Sequence, residues 1–506
     1  MTSRTKRTGS RSHSAPPDAA VLETALENLL GTGETEVLED SRLLGGFAGL
    51  RYELHSRGGQ ILLHLWSEEF NLVRRILSIA ETAAEKLVLD VERFGRGPGT
   101  LALVRPGAPG RERRWTREKF RRRFEQMLAE QFPDERPESL TSAPDLEHSL
   151  SGSYVRGWQV RGQQAWAVLG AAPGESATTF DGILTFGLLW LHWAREHAAR
   201  RVVQGLRLFL SEGSSRITAH RFQALADWVR AELYEFSADT WQVQQVDPND
   251  RGNLATWLTP RREVEQTLAA ALESVEKIRG LAPEAISVVV PPGTKDVALR
   301  FRGLEFARWR GGKVFFGVSD QRRELTVRNW GTLRKLVERL AARRHPMAAD
   351  RNDPLYRAQP ERWLEHVVQA NPARLDAQLD PGALYAQVPA FSAGDRGVID
   401  LLGVTRQGRL AVIELKADED LHLALQAVDY WLRVRWHHQQ DEFPRYGYFT
   451  GRELQKQPPL LYLVAPGLRF HPATDVILRH LSPEVEIVRL GLNENWRQNL
   501  EVVFRQ

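Results

Sequence analysis

The 506-residue chain contains no cysteine. A disulfide framework, a thiolate zinc site and a cysteine nucleophile are therefore excluded, and oxygen and nitrogen ligands remain for any chemistry. Lysine is nearly as scarce, with nine against 59 arginines among the 68 basic residues. Long apolar runs are missing too. The most apolar stretch, residues 183–194, is interrupted by Thr185, Gly187 and His192 and is too short to span a bilayer, so a buried helix and no membrane association are expected. Residues 1–20 carry basic, Ser and Pro residues without the apolar centre of a secretory signal; a disordered tail and a cytoplasmic protein are the expectation. There is no phosphate loop ending in Gly-Lys-Ser/Thr, no His-Glu-x-x-His and no Gly-x-Ser-x-Gly, which excludes a self-contained ATPase of the common kind. Net charge is only +4, so affinity for an acidic partner has to come from local clustering.

Hydrophobic residues at 42% and charged residues at 26% are globular values, and the length suggests about three domains. Pattern reading predicts an α/β and α+β multidomain chain: an N-terminal α+β domain over 21–135, an α/β domain over 150–260, a basic β-rich segment with a helix over 261–345, and a last domain over 346–506. In the first, a helix is expected at 21–30 and another at 71–84 among strands. In the second, the order is strand, strand, helix (180–199), strand, helix, strand. Two stretches concentrate positive charge: residues 105–125, with nine basic against three acidic residues, and residues 300–345, with thirteen against four. The latter carries +9, leaving −5 for the remaining chain.

Chemistry becomes legible after residue 346. The runs VIDLLGV (398–404) and LAVIELK (410–416) are joined by TRQGR, whose Gly408 suits a tight hairpin. If Val404 faces Leu410, Asp400 lies opposite Glu414, and two like charges so placed are destabilising unless something such as a divalent cation neutralises them. Glu414 and Lys416 project from the same side of their strand, Ile413 and Leu415 from the other. A helix over 421–437 follows, with His422, Gln426 and Tyr430 along one side. Upstream, PERWLEHVV starts a helix at Pro360 and sets Glu361 and Glu365 on one face, Glu361 being expected as a solvated first-turn acid. His437 and His438 are expected at a helix end rather than at a metal.

Asp400, Glu414-Leu415-Lys416 and Gln426-x-x-x-Tyr430, preceded by a helix bearing Glu365, resemble the PD-(D/E)XK nuclease superfamily, in particular its RecB-like and mismatch-endonuclease-like branch. The resemblance covers about 359–492, and Ile399 stands where the superfamily's name has proline. It implies a restriction-endonuclease-like core of mixed sheet flanked by helices, Mg²⁺ or Mn²⁺ dependence, and phosphodiester hydrolysis, DNA being favoured. Asp400, Glu414 and the Leu415 carbonyl are then the metal ligands and Lys416 orients the nucleophile. Gln426 and Tyr430 complete the site, with Glu365 as an additional ligand. An RNA-directed nuclease, or a nucleic-acid-binding protein on a non-catalytic scaffold, are the alternatives.

Nucleic-acid contact is expected on the +9 segment through Arg300, Arg302, Arg308, Arg310, Lys313, Arg322 and Arg323, with residues 111–123 next in line. A homodimer and a helicase or other DNA-processing partner fit this reading. The 150–260 region parallels the last domain in element order, with Gly170 and Ala171 near the places of the Glu and Lys, which suggests a duplicated domain without the catalytic residues.

Overall fold

The computed structural model describes residues 19–30, 34–39, 42–48, 50–57, 60–67, 70–83, 85–93, 97–105, 108–145, 147–250, 256–291, 294–318, 322–392 and 398–506. The expected N-terminal tail lies outside them up to residue 18. The protein is a mixed α/β chain, with four sheets among the described residues, in two compact units, 1–114 and 115–506.

In the first unit α1 (Ala19–Leu30) precedes seven strands: β1 (Glu34–Glu39), β2 (Arg42–Ala48), β3 (Arg51–Arg57), β4 (Gln60–Ser67), β5 (Phe70–Ala83), β6 (Lys86–Arg93) and β7 (Gly97–Val104). They form one sheet in the order β2-β1-β7-β6-β5-β4-β3. Leu22, Leu26 and Leu29 of α1 pack on Leu63, Leu65, Leu87, Leu89, Leu101 and Leu103. The helix expected at 71–84 is instead strand β5. Register shifts between Ile76 and Ser78 and between Ile79 and Glu81 break its two-residue alternation, so that Leu72, Ile76 and Ile79 mimic a helical spacing.

The second unit begins its sheets after α2 (Ala108–Gln131). Strands β8 (Arg136–Thr141), β9 (Tyr154–Arg161) and β10 (Gln164–Ala171) lead to α3 (Ala177–His197), β11 (Val202–Ser211), α4 (Arg216–Phe222), β12 (Ala231–Phe236) and β13 (Val243–Gln245). Ser176 caps α3 by accepting from the Thr179 N–H, and the helix is buried nearly all round from Gly182 to Leu191. Strand β14 (Thr256–Leu258) and α5 (Arg261–Arg279) come next. A five-stranded antiparallel sheet follows, made of β15 (Ile286–Val289), β16 (Val297–Phe301), β17 (Leu304–Arg310), β18 (Lys313–Phe316) and β19 (Arg323–Glu324). Helices α6 (Trp330–Arg343), α7 (Pro354–Arg357) and α8 (Pro360–Ala370) lead into the last sheet. It contains β20 (Leu379–Ser392), β21 (Val398–Thr405), β22 (Leu410–Leu415), α9 (Leu423–Gln439), α10 (Glu442–Arg445), β23 (Leu460–Pro466), α11 (Thr474–Arg479), β24 (Ile487–Leu492) and β25 (Val502–Arg505).

The sheets β13-β12-β11-β10-β9-β8 and β14-β20-β21-β22-β23-β24-β25 share one topology. In each, an antiparallel hairpin (β9–β10, β21–β22) crosses over through a long helix (α3, α9) to two parallel strands and ends on an antiparallel edge strand. Helix α3 packs on α11 and α4 packs on α9, so the modules face each other reciprocally over one shared core. At their junction Leu225 pairs with Leu481; Ala226 N–H donates to the His480 carbonyl at 3.0 Å and Ser482 N–H to the Ala224 carbonyl at 2.7 Å. Exchanging the modules exchanges these two hydrogen bonds, which marks a local two-fold relation.

Ladder register carries the match outward from that point. Ala231 and Ile487 each follow six residues after the bridge and pair with Leu206 and Leu461, which in turn pair with Ala167 and Val412. Leu169 therefore matches Glu414, Ala171 matches Lys416, and across the hairpins Arg156 matches Asp400. The sequence comparison, which set Gly170 and Ala171 against the Glu and Lys, is one residue off for the glutamate: side chains two apart share a face, and Gly170 lies on the opposite face.

Candidate active site

The hairpin pairs Val404 with Leu410 and runs to Leu401 opposite Ile413, the expected register. Gly408, at φ +91°, makes its turn against the Glu453 carbonyl, where a Cβ would come within 2.2 Å. The next pair along would be Asp400 and Glu414. The Asp400 carboxylate reaches across instead, Oδ2 accepting from the Leu415 N–H at 3.1 Å. Ala411, Ile413 and Leu415 pack on Trp363 and Leu364 of α8, whereas Leu410 and Val412 pack under α9 with Leu425 and Val428. Glu414 and Lys416 thus continue the apolar α9-facing row, which makes charge there expensive.

Glu414 is 5% exposed, and among the described residues nothing donates to its Oε2. Burial and then Asp400 push its carboxyl well above the usual carboxylate range. Burial also raises Asp400, against the pull of Arg362 and the Leu415 N–H. Lys416 Nζ meets Asp420 Oδ2 at 2.8 Å; burial disfavours the ammonium, but Asp420 and Glu414 outweigh it and hold the pKa above its ordinary value. The Tyr430 phenol is raised by burial, then by Glu414 and Asp400, and remains a donor.

Helix α8 lies on the opposite side of the hairpin. Arg362 Nη1 bridges Glu365 Oε2 at 2.6 Å and Asp400 Oδ1 at 3.1 Å. Glu365 is 3% exposed, accepts from Gln387 Nε2 at 2.7 Å and faces Arg300 Nη1 at 3.8 Å. Burial nevertheless outweighs both arginines and lifts its carboxyl to about 7. Glu361 is not the solvated acid expected. It lines the site, and burial raises its pKa.

The start of α8 is fixed by a residue that local pattern does not reveal. Arg344, fully buried over Trp363, donates to the carbonyls of Arg302, Leu355, Ala358 and Gln359, and burial brings its pKa down to about 9. Gly303, at φ +86°, lets the β16–β17 turn touch the Arg362 backbone, which a Cβ would meet at 2.2 Å.

Asp400, Glu414, Leu415, Lys416, Gln426 and Tyr430 all line one cavity of about 790 Å³. Arg300, Arg362 and Glu361 share its wall, and Asp181 of α3 and Arg221 of α4 close it from the other module. Arg221 grips Asp429 of α9 with two bonds, Nε to Oδ1 at 2.9 Å and Nη2 to Oδ2 at 2.8 Å. Glu365 lies behind Arg362 and is not part of the lining. Among the described residues no three His, Asp or Glu side chains form a metal cluster. Histidine 437 ends α9 as expected, buried between Glu442 Oε2 at 2.5 Å and Thr256 Oγ1 at 3.1 Å.

The residues expected to form a basic surface divide into three groups. Arg300 is buried in the cavity wall with Nη1 3.8 Å from Glu365 Oε1, and Arg302 donates to the Arg344 carbonyl. These two are not on the surface as expected: the turn after β16 touches the Arg362 backbone of α8, and Arg300 and Arg302 are directed to Glu365 and the Arg344 carbonyl. Arg308 and Arg310 pair with Asp296, Arg308 and Arg322 with Glu305, and Lys313 with Glu324. Arg323 is exposed. In α2, Arg121 and Arg122 pair with Glu118, while the side chains of 111–116 lie outside the described residues. A scan against protein-family models finds no match to this chain, and neither does a search of curated proteins.

Proposed function

We propose that the chain is a divalent-metal-dependent nuclease that hydrolyses phosphodiester bonds, DNA being the favoured substrate, with a restriction-endonuclease-like core formed by β20–β24, α8 and α9. The observation that carries this reading is the buried Asp400–Glu414 pair with an unpartnered oxygen on Glu414, beside Lys416 in a cavity. Two carboxylates and a carbonyl match the oxygen donors that Mg²⁺ or Mn²⁺ takes, the remaining positions being left to water and substrate phosphate. Asp400, Glu414 and the Leu415 carbonyl would hold the cation, which supplies an acidified water and offsets charge developing on phosphate.

The protein groups do the rest. Lys416 stays charged and orients the attacking oxygen beside Glu414. Arg300, paired with Glu365 at 3.8 Å, lines the cavity and sets a cation beside it for substrate phosphate, and Arg362 adds a second. Tyr430 keeps its proton in this setting and can donate a hydrogen bond, and Gln426 offers an amide beside it. Arg362 and Glu365 position Asp400 from behind.

The test is incubation of purified protein with single-stranded DNA, duplex DNA and RNA in Mg²⁺, Mn²⁺ or EDTA, alongside Lys416→Ala. Cleavage in metal that disappears in EDTA and in the variant is expected. Cleavage that survives both, or none with any substrate, contradicts the reading.

A further inference from the structure

The repeated module is more than a scaffold for the second. Its hairpin offers Arg156, Leu169 and Ala171 where the other has Asp400, Glu414 and Lys416. Leu169 and Ala171 lie in the apolar core, 1% and 0% exposed, and Arg156 is a buried cation stacked over Trp190. None of the three can ligate a divalent cation through a side chain. Around the Leu225–Leu481 bridge the two modules nonetheless hold the reciprocal arrangement that two copies of one module would adopt in a two-fold dimer.

That arrangement uses up the helix faces through which either module could meet a further copy, since α3, α4, α9 and α11 are covered by one another. It also closes the site. Asp181 and Arg221 of the inert module line one side of the cleft of about 790 Å³, and Arg300 of β16 lines another, so a strand that reaches Glu414 has protein on both flanks.

We propose, resting on the nuclease reading above, that this chain is a built-in pseudo-dimer with a single working centre: it acts as one chain, admits one nucleic-acid strand and makes one scission per engagement. A two-fold dimer of intact modules would instead present two centres and cut both strands together. The hydrolysis consumes one water per bond, which adds to phosphorus as the ester oxygen leaves and takes the proton.

A gapped DNA duplex carrying a different fluorophore on each strand separates the two cases. With substrate in large excess and Mn²⁺ present, essentially every early product should carry one new cut in one strand and none in the other, and the rate should rise in first order with protein. Molecules cut in both strands from the earliest times, at a share that does not fall as substrate excess grows, would overturn the proposal. So would a rate rising with the square of protein concentration. Failure to cut any substrate under the conditions of the preceding test removes the nuclease reading itself, whereas paired cuts remove only this inference.

Discussion

The β8–β13 and β20–β24 modules solve the same packing problem with different side chains at matched places. Where the first buries Leu169 and Ala171 in its apolar core, the second sets Glu414 and Lys416 on the corresponding row. Strand order, the crossover helix and the reciprocal junction are common to both, so the fold does not require the charged residues. Glu414 is costly where it stands, with an oxygen lacking a donor and a raised pKa. A leucine fills this position in one module and a buried carboxyl fills it in the other, which is the contrast that the proposed cation site accounts for.

The largest effect that would break this contrast is on activity. Lys416→Ala should lower cleavage by about 10²–10³-fold or more, with the circular dichroism spectrum unchanged, whereas Ala171→Lys should not create a second centre. Full activity in Lys416→Ala would erase the distinction between the modules.

Next comes the link between them. Arg221→Ala leaves Asp429 buried without its partner and should cost about 3–5 kcal/mol in urea unfolding. Arg221→Met with Asp429→Leu should restore much of that loss. A single variant as stable as the wild type would show that this cross-module pair contributes nothing.

The junction is also asymmetric in charge. His480, 2% exposed, stands where the other module has Ala224, and burial lowers its pKa to about 4. A depressed histidine favours folding above its unfolded pKa of ~6.5, and that contribution is lost as pH falls from there through about 4. The loss is at most about 3 kcal/mol. His480→Gln should flatten the stability profile between those values, as followed by melting temperature against pH. Identical profiles would place the acid sensitivity elsewhere.

The smallest effect concerns the exposed cations. Arg308, Arg310, Lys313 and Arg322 already have carboxylate partners, whereas Arg323 and Arg328 are exposed to solvent-side phosphate. Arg323→Glu with Arg328→Glu should flatten the slope of log K against log salt by no more than about 2. A much larger change would restore the strongly basic surface that composition suggested.

Much of the site was readable because its information is local. Alternation and Gly408 set the hairpin register, and the i, i+4 spacing of Gln426 and Tyr430 put both on the cavity side of α9. The rest depends on distant pairings. Asp296 and Glu305 neutralise arginines that a charge count treats as exposed, and Arg221 meets Asp429 208 residues away. Arg362 did leave a local trace, three residues before Glu365 on one helix, but its bond to Asp400 needed the fold. In the N-terminal unit, bulges in β5 imitated a helical spacing, an ambiguity that single-strand periodicity cannot resolve.

The central claim is that Asp400 and Glu414 form a cation site, and it is met most directly by melting the protein with and without Mn²⁺, in the wild type and in Glu414→Gln. Asp400 has donors from Leu415 and Arg362, so Glu414 is the carboxylate whose neutralisation brings relief. The metal-free variant should melt as high as the metal-free wild type or a few degrees higher. Mn²⁺ at 100 times its dissociation constant should stabilise the wild type by about 2.7 kcal/mol and leave the variant unmoved. An equal Mn²⁺ shift in both proteins, or none in the wild type, would contradict the account.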